Sequence, residues 1–125
     1  MIFADTSFLI GYLIEEDPHH EKALEIAATI EDDLLVTHDV LKEFVTVVTY
    51  KSSSEVAFAL FTAVKSSYFI QVMNEVEGHF EETMAIFDLL GHHKFSYTDC
   101  SLIAIAQMLE GEVLTFDKRL EKALE

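Results

Sequence analysis

Apolar residues recur along the chain in short runs separated by longer stretches of helical periodicity. Ile2-Phe3-Ala4 is the first run and closes on Asp5, so residues 2–5 predict a short buried strand. Ser7 to Ile14 predict an apolar helix. Asp17-Pro18 has the form of a helix start, with a capping Asp and Pro at the first helical position. Leu24, Ala27, Ala28 and Ile30 would carry the apolar stripe of that helix. Leu34-Leu35-Val36 predicts a second strand, after which Thr37 or Asp39 can cap a helix reaching about Tyr50. Ser52-Ser53-Ser54 reads as a loop, with Ser54 capping a helix through Lys65 or Ser66. Phe69, Ile70, Val72 and Met73 suit a third strand, followed by a helix from about Glu77 to Leu90 that Gly91 can stop. Ser96 or Thr98 caps a strongly apolar helix to Leu109, which Gly111 ends. Val113 to Phe116 then form a fourth strand and Lys118 to Leu124 a last helix.

Strands alternating with helices predict an α/β fold, a parallel sheet covered by helices on both faces. At 125 residues, half of them hydrophobic, the chain can build the core of one domain, residues 1–125. No apolar run approaches the ~20 residues a membrane span needs, and the N-terminus lacks the basic start of a signal peptide. The single cysteine, Cys100, excludes an internal disulfide and fits a reducing, cytoplasmic setting. It lies on a buried helix and reads as core.

Charge changes the picture. With 23 acidic and eight basic residues the formal net charge is −15. Phosphate neutralisation needs Lys and Arg, so a surface this acidic opposes nucleic acid unless bound cations or a local basic patch intervene. Lys118 and Arg119 form the only basic pair near the acids singled out below.

Most of the acids sit in polar company, but four do not. Asp5 and Asp117 both stand at the exit of an apolar strand, and ligands of open parallel sheets bind beyond the carboxyl ends of strands. Each can equally cap the helix that follows it. Asp99 lies in the first turn of the most apolar helix, where the dipole favours an anion. Glu43 lies at the edge of the face formed by Val40, Phe44, Val47 and Val48. Asp39, one turn earlier, is a further candidate on that edge. Convergence of these carboxylates would demand a cation, because two of them about 4 Å apart repel by about 4 kcal/mol at an effective dielectric near 20. An all-oxygen set suits Mg²⁺ or Mn²⁺, not Zn²⁺.

The ordered set Asp5-Thr6-Ser7, Glu43, Tyr97-Thr98-Asp99 and Thr115-Phe116-Asp117 resembles the PIN domain, and within it the VapC-type toxin ribonucleases. The resemblance runs from Ile2 to about Leu120. It implies a three-layer α/β/α sandwich on a four- or five-stranded parallel sheet. It also implies a Mg²⁺- or Mn²⁺-dependent endoribonuclease leaving 5′-phosphate and 3′-hydroxyl ends. By matching positions, Asp5, Glu43, Asp99 and Asp117 would be the catalytic and metal-binding acids, with Thr6 and Thr115 supporting them. The expected partners are RNA, a second copy of the chain, and an antitoxin whose tail enters the acidic cleft.

Two other functions fit parts of the pattern. A receiver domain would need a phosphoacceptor Asp on a central strand, whereas Thr46 through Asn74 holds only Glu55. An inactive PIN-like interaction module would explain the charge, but all four acids are present. The adjacent pairs His19-His20 and His92-His93 lack a zinc-ligand spacing and read as exposed. Phe58, Phe61, Phe80 and Phe87 fall at helical spacing and read as core, or in part as a dimer surface.

Overall fold

The computed structural model describes residues 1–125. Four three-residue strands, β1 (Ile2–Ala4), β2 (Leu34–Val36), β3 (Ile70–Val72) and β4 (Glu112–Leu114), form one sheet in the order β3-β2-β1-β4. Every pairing is parallel; Phe3 sits opposite Leu35 on one side and Val113 on the other. Seven α-helices connect and flank them: α1 (Thr6–Leu13), α2 (His20–Ala28), α3 (His38–Lys51), α4 (Ser54–Ser66), α5 (His79–Leu90), α6 (Tyr97–Leu109) and α7 (Lys118–Ala123). This is the expected α/β sandwich, with four strands. The chain steps outward from β1 through β2 to β3, then returns past β1 to β4. With right-handed crossovers, that reversal sends α1 to α4 to one face and α5 with α6 to the other. The reversal falls between β1 and β4, which makes their carboxyl ends the switch point of the sheet.

The core is built from Phe3, Phe8, Leu9, Leu34, Phe44, Leu102, Ile105 and Leu120, all fully buried. Helix α6 is buried from Cys100 to Ala106, and Cys100 fills core as its sequence context predicts. Thr37 caps α3 through Val40 N and Ser96 caps α6 through Asp99 N, at positions the sequence allows.

Several local expectations are corrected. Asp17-Pro18 does not open α2: Asp17 accepts from His19 N in a turn, and the helix begins at His20. Ser53, not Ser54, caps α4. Strand β4 ends at Leu114, releasing Thr115 and Phe116 into the connection to α7. The stripe of α2 is displaced, with Ala23 buried and Leu24 exposed. Phe58, Phe80 and Phe87 are surface residues, 68%, 61% and 39% exposed, because α4 and α5 bury their small residues Ala57 and Thr83 instead. Neither glycine expected to terminate a helix takes the left-handed conformation. Lys94 after α5 and Glu110 after α6 do, at φ 66° and 55°. Gly111 is required for space: a Cβ there would lie 2.5 Å from the Phe3 ring.

Candidate functional site

Beyond the carboxyl ends of β1 and β4 opens a cavity of about 330 Å³. Asp5, Glu43, Asp99 and Asp117 all line it, together with Thr6, Ser7, Asp17, His19, Lys51 and Thr98. Four elements deliver the four acids: the exit of β1, the middle of α3, the first turn of α6, and the segment between β4 and α7.

Asp5 is the best-anchored of them and is buried. Its Oδ1 accepts from Ser7 Oγ and from Phe8 N, both at 2.8 Å, the second being the N-cap bond of α1. Its Oδ2 accepts from Thr115 Oγ1 at 2.5 Å. The two hydroxyls are themselves held by the β4–α7 segment, Ser7 Oγ accepting from Phe116 N and Thr115 Oγ1 from Asp117 N, each at 2.9 Å. Asp5 N donates to Leu114 O at 3.1 Å. Two hydroxyls and four backbone amides therefore clasp the ends of β1 and β4 around one carboxylate. Burial raises the Asp5 carboxyl above its ordinary value, and the charge of Asp99 adds to the rise; the bonds from Thr115, Phe8 and Ser7 offset part of it.

Asp99 and Asp117 serve as caps while facing the same cavity. Asp99 Oδ2 accepts from Ser96 N at 3.1 Å, closing a capping box with the Ser96 side chain. Asp117 Oδ1 accepts from Arg119 N and Leu120 N at the start of α7. Capping and site membership are thus compatible for these residues, each of which leaves one carboxylate oxygen without a protein partner. Glu43 is half-buried and has no hydrogen-bond partner in the protein.

A family model for the PIN domain matches residues 2–124. The chain belongs to the PIN-domain family. Among solved structures, this PIN domain is similar to VapC20 of Mycobacterium tuberculosis, described as a sarcin-ricin loop cleaving toxin. The TM-score is 0.82 at 21% identity, over 98% of this chain and 95% of that one. It is also similar to VapBC2 of Rickettsia felis, solved bound to a DNA fragment from its promoter. There the TM-score is 0.70 at 13% identity, over 98% and 92%. No curated protein sequence matches the chain.

Asp39 is the candidate acid that does not join this cavity. It lines a neighbouring one of about 380 Å³ with Lys42, Glu75, Phe80 and Tyr97. The Tyr97 hydroxyl is raised there by burial and then by the charges of Asp39 and Glu75. Lys118 and Arg119 do not line the PIN domain's acidic cavity either. Arg119 is turned away, donating to His93 O and lying 4.7 Å over the Phe95 ring. The one Lys or Arg in the cavity wall is Lys51, two helical turns beyond Glu43 on α3, a spacing that puts both on one face. Ser7, Asp17 and His19 also escaped the sequence reading. Ser7 had a signal, a hydroxyl two residues after an acid at a strand end. His19 is held by stacking on Phe116, ring centroids 4.3 Å apart, a contact no local pattern encodes.

The donors fit a hard divalent cation. They are carboxylates, and Thr6 adds a buried hydroxyl with no hydrogen-bond partner. No three acidic, His or Cys side chains already converge as ligands of one ion. Mg²⁺ does not need three, since it keeps several waters and takes one or two carboxylates directly.

Proposed function

We propose that this PIN domain is a Mg²⁺- or Mn²⁺-dependent endoribonuclease of the VapC type, the toxin of a toxin–antitoxin pair, acting in the cytoplasm as a homodimer. The observation that carries the reading is the gathering of Asp5, Glu43, Asp99 and Asp117 from four elements into one cavity at the switch point of the sheet. The names of the two similar structures, a cleaving toxin and a VapBC pair, support it.

In this reading Asp5, Glu43, Asp99 and Asp117 hold the metal, and Thr6 and Thr115 orient ligands around it. A divalent ion bound there supplies an activated water and stabilises charge on the attacking and leaving oxygens of a phosphodiester. The protein's own contribution is placement. Ser7 and Thr115 fix both Asp5 oxygens, and the cap bonds of Asp99 and Asp117 set the direction of their free oxygens. Lys51 offers a cation to the RNA backbone beside four acids.

The test is calorimetric titration with Mn²⁺ and Mg²⁺, wild type against Asp5→Asn, followed by cleavage of a labelled RNA. Metal binding lost in the variant together with metal-dependent cleavage in the wild type is the expected result. Binding without cleavage would favour an interaction module regulated by a partner protein, a reading that the net charge of −15 and the lone lining Lys51 support. Absence of metal binding in the wild type would end the nuclease reading.

A further inference from the structure

A stack of four rings leads through the core to the wall of the acidic cavity. Tyr12 and Phe8 lie nearly parallel, at 8° with centroids 6.5 Å apart, and Phe8 is fully buried. Phe116 lies on Phe8 at 5.5 Å and 17°, and the His19 imidazole lies on Phe116 at 4.3 Å and 7°. The outer rings are set down over Gly11, where a Cβ would stand 3.2 Å from the Phe116 ring and 3.4 Å from His19 Cβ. The backbone around them is fixed as well. His19 N donates to Asp17 Oδ2 at 2.9 Å, and the His20 ring is hydrogen-bonded to Gly11 O at 2.8 Å. Phe116 N donates to Ser7 Oγ, which ties the ring beneath His19 to the clasp around Asp5. His19 itself is exposed, lines the cavity with the four acids, and has no protein hydrogen-bond partner at either ring nitrogen.

We infer that the free face of His19 is a stacking platform for an unpaired nucleobase of the RNA, beside the phosphodiester held at the acids. The inference rests on the RNA substrate of the nuclease reading, not on the cutting step. Every base has a π face, so one flat ring accepts any of them, provided that the base is not already stacked within a duplex. The ring is ordered before RNA arrives, because packing on Phe116 sets its orientation, and so little freedom is lost on binding. Stacking also meets the charge problem. One lysine and five acids line the cavity, so the protein's own cations neutralise little phosphate, whereas a base on an imidazole needs no charge. A ligand role for His19 fits less well, since the hard cation that suits these carboxylates prefers oxygen. Proton donation to the leaving oxygen would use the edge of the ring and not its face.

The test is fluorescence anisotropy of a labelled oligoadenylate of about ten nucleotides, titrated with the full-length protein in Mn²⁺. Its linkages are phosphorothioates, so that it resists cleavage. H19A is expected to weaken binding about tenfold, and H19F, which keeps a flat ring on Phe116, to restore it. An abasic chain of the same length should bind wild type and H19A equally, which a general loss of structure in H19A would not give. Mn²⁺ affinity by calorimetry should be the same in all three proteins. In cleavage of unmodified RNA the H19A loss should appear in KM and not in kcat. A wild type that binds the oligoadenylate without cleaving RNA would end the nuclease reading and leave the platform standing. Oligoadenylate binding that is equal in wild type and H19A, or absent from both, would overturn the inference. So would an H19F variant that binds as poorly as H19A, which would assign the role to the ring nitrogens, or one that keeps KM and loses kcat, which would make His19 a proton donor.

Discussion

At the residue scale the site turns on how Asp5 is held. Thr115 Oγ1 both donates to Asp5 and accepts from Asp117 N, so it couples two of the four acids. Thr115→Val leaves a buried carboxylate oxygen and an amide without partners. It should cost about 1–3 kcal/mol in denaturant unfolding and weaken Mn²⁺ binding, while Thr115→Ser restores both. The protonation of Asp5 gives a second expectation. Its folded-state value lies above the unfolded one, so its contribution to stability is fully present below the unfolded value of 3.8 and is lost as pH rises through the raised one. Metal-free Asp5→Asn should therefore melt no lower than wild type at pH 7. Because metal competes with that proton, wild-type affinity should fall as pH drops through the raised value. Asp99 needs two variants. Asp99→Ala should cost about 1 kcal/mol of stability through the lost capping box, whereas Asp99→Asn keeps an acceptor for Ser96 N and should lose metal affinity with little stability change. Equal stability loss in both would make Asp99 a cap and nothing more.

At the scale of elements, most of the plan is legible in the chain's apolar rhythm. All four strands and seven helices occur in the order the periodicity predicts, although α2 starts later and β4 ends earlier than it suggests, and Thr37 and Ser96 cap as their positions suggest. The failures are at the joints. Gly91 does cap α5, which ends at Leu90 as expected, but neither it nor Gly111 takes the left-handed conformation that marks a glycine stop; Lys94 and Glu110 carry the positive φ. A glycine's lack of Cβ serves conformation or space, and sequence does not say which; at Gly111 it is space, because β4 must pass beside Phe3. Gly111→Ala should lower stability by about 1–3 kcal/mol through that contact. Glu110→Gly should raise it by up to about 1 kcal/mol by relieving a left-handed residue. Paired thermal melts of the two variants would check both signs. Phe58, Phe80 and Phe87 failed for a related reason. Helical spacing shows that residues share a face, but which face meets the sheet depends on the neighbours.

For the whole molecule, charge dominates. One ion pair stands against 23 acids, so salt has little attraction to screen and much repulsion. The melting temperature of the metal-free protein should rise with NaCl between low and physiological ionic strength, and a fall would show that unrecognised pairs outweigh the repulsion.

The sequence by itself determined the strand–helix alternation and the single core, and it singled out the four acids that line one cavity. Each of these rests on apolar periodicity or on an acid at a strand end or helix start, both local in the chain. Only the tertiary structure decided which acids share a cavity. Asp39 and Glu43 are one turn apart on α3 yet line different cavities, while Asp5 and Thr115 are 110 residues apart and hydrogen-bonded. The order β3-β2-β1-β4 brings the ends of β1 and β4 together, and no local pattern carries information about strand order.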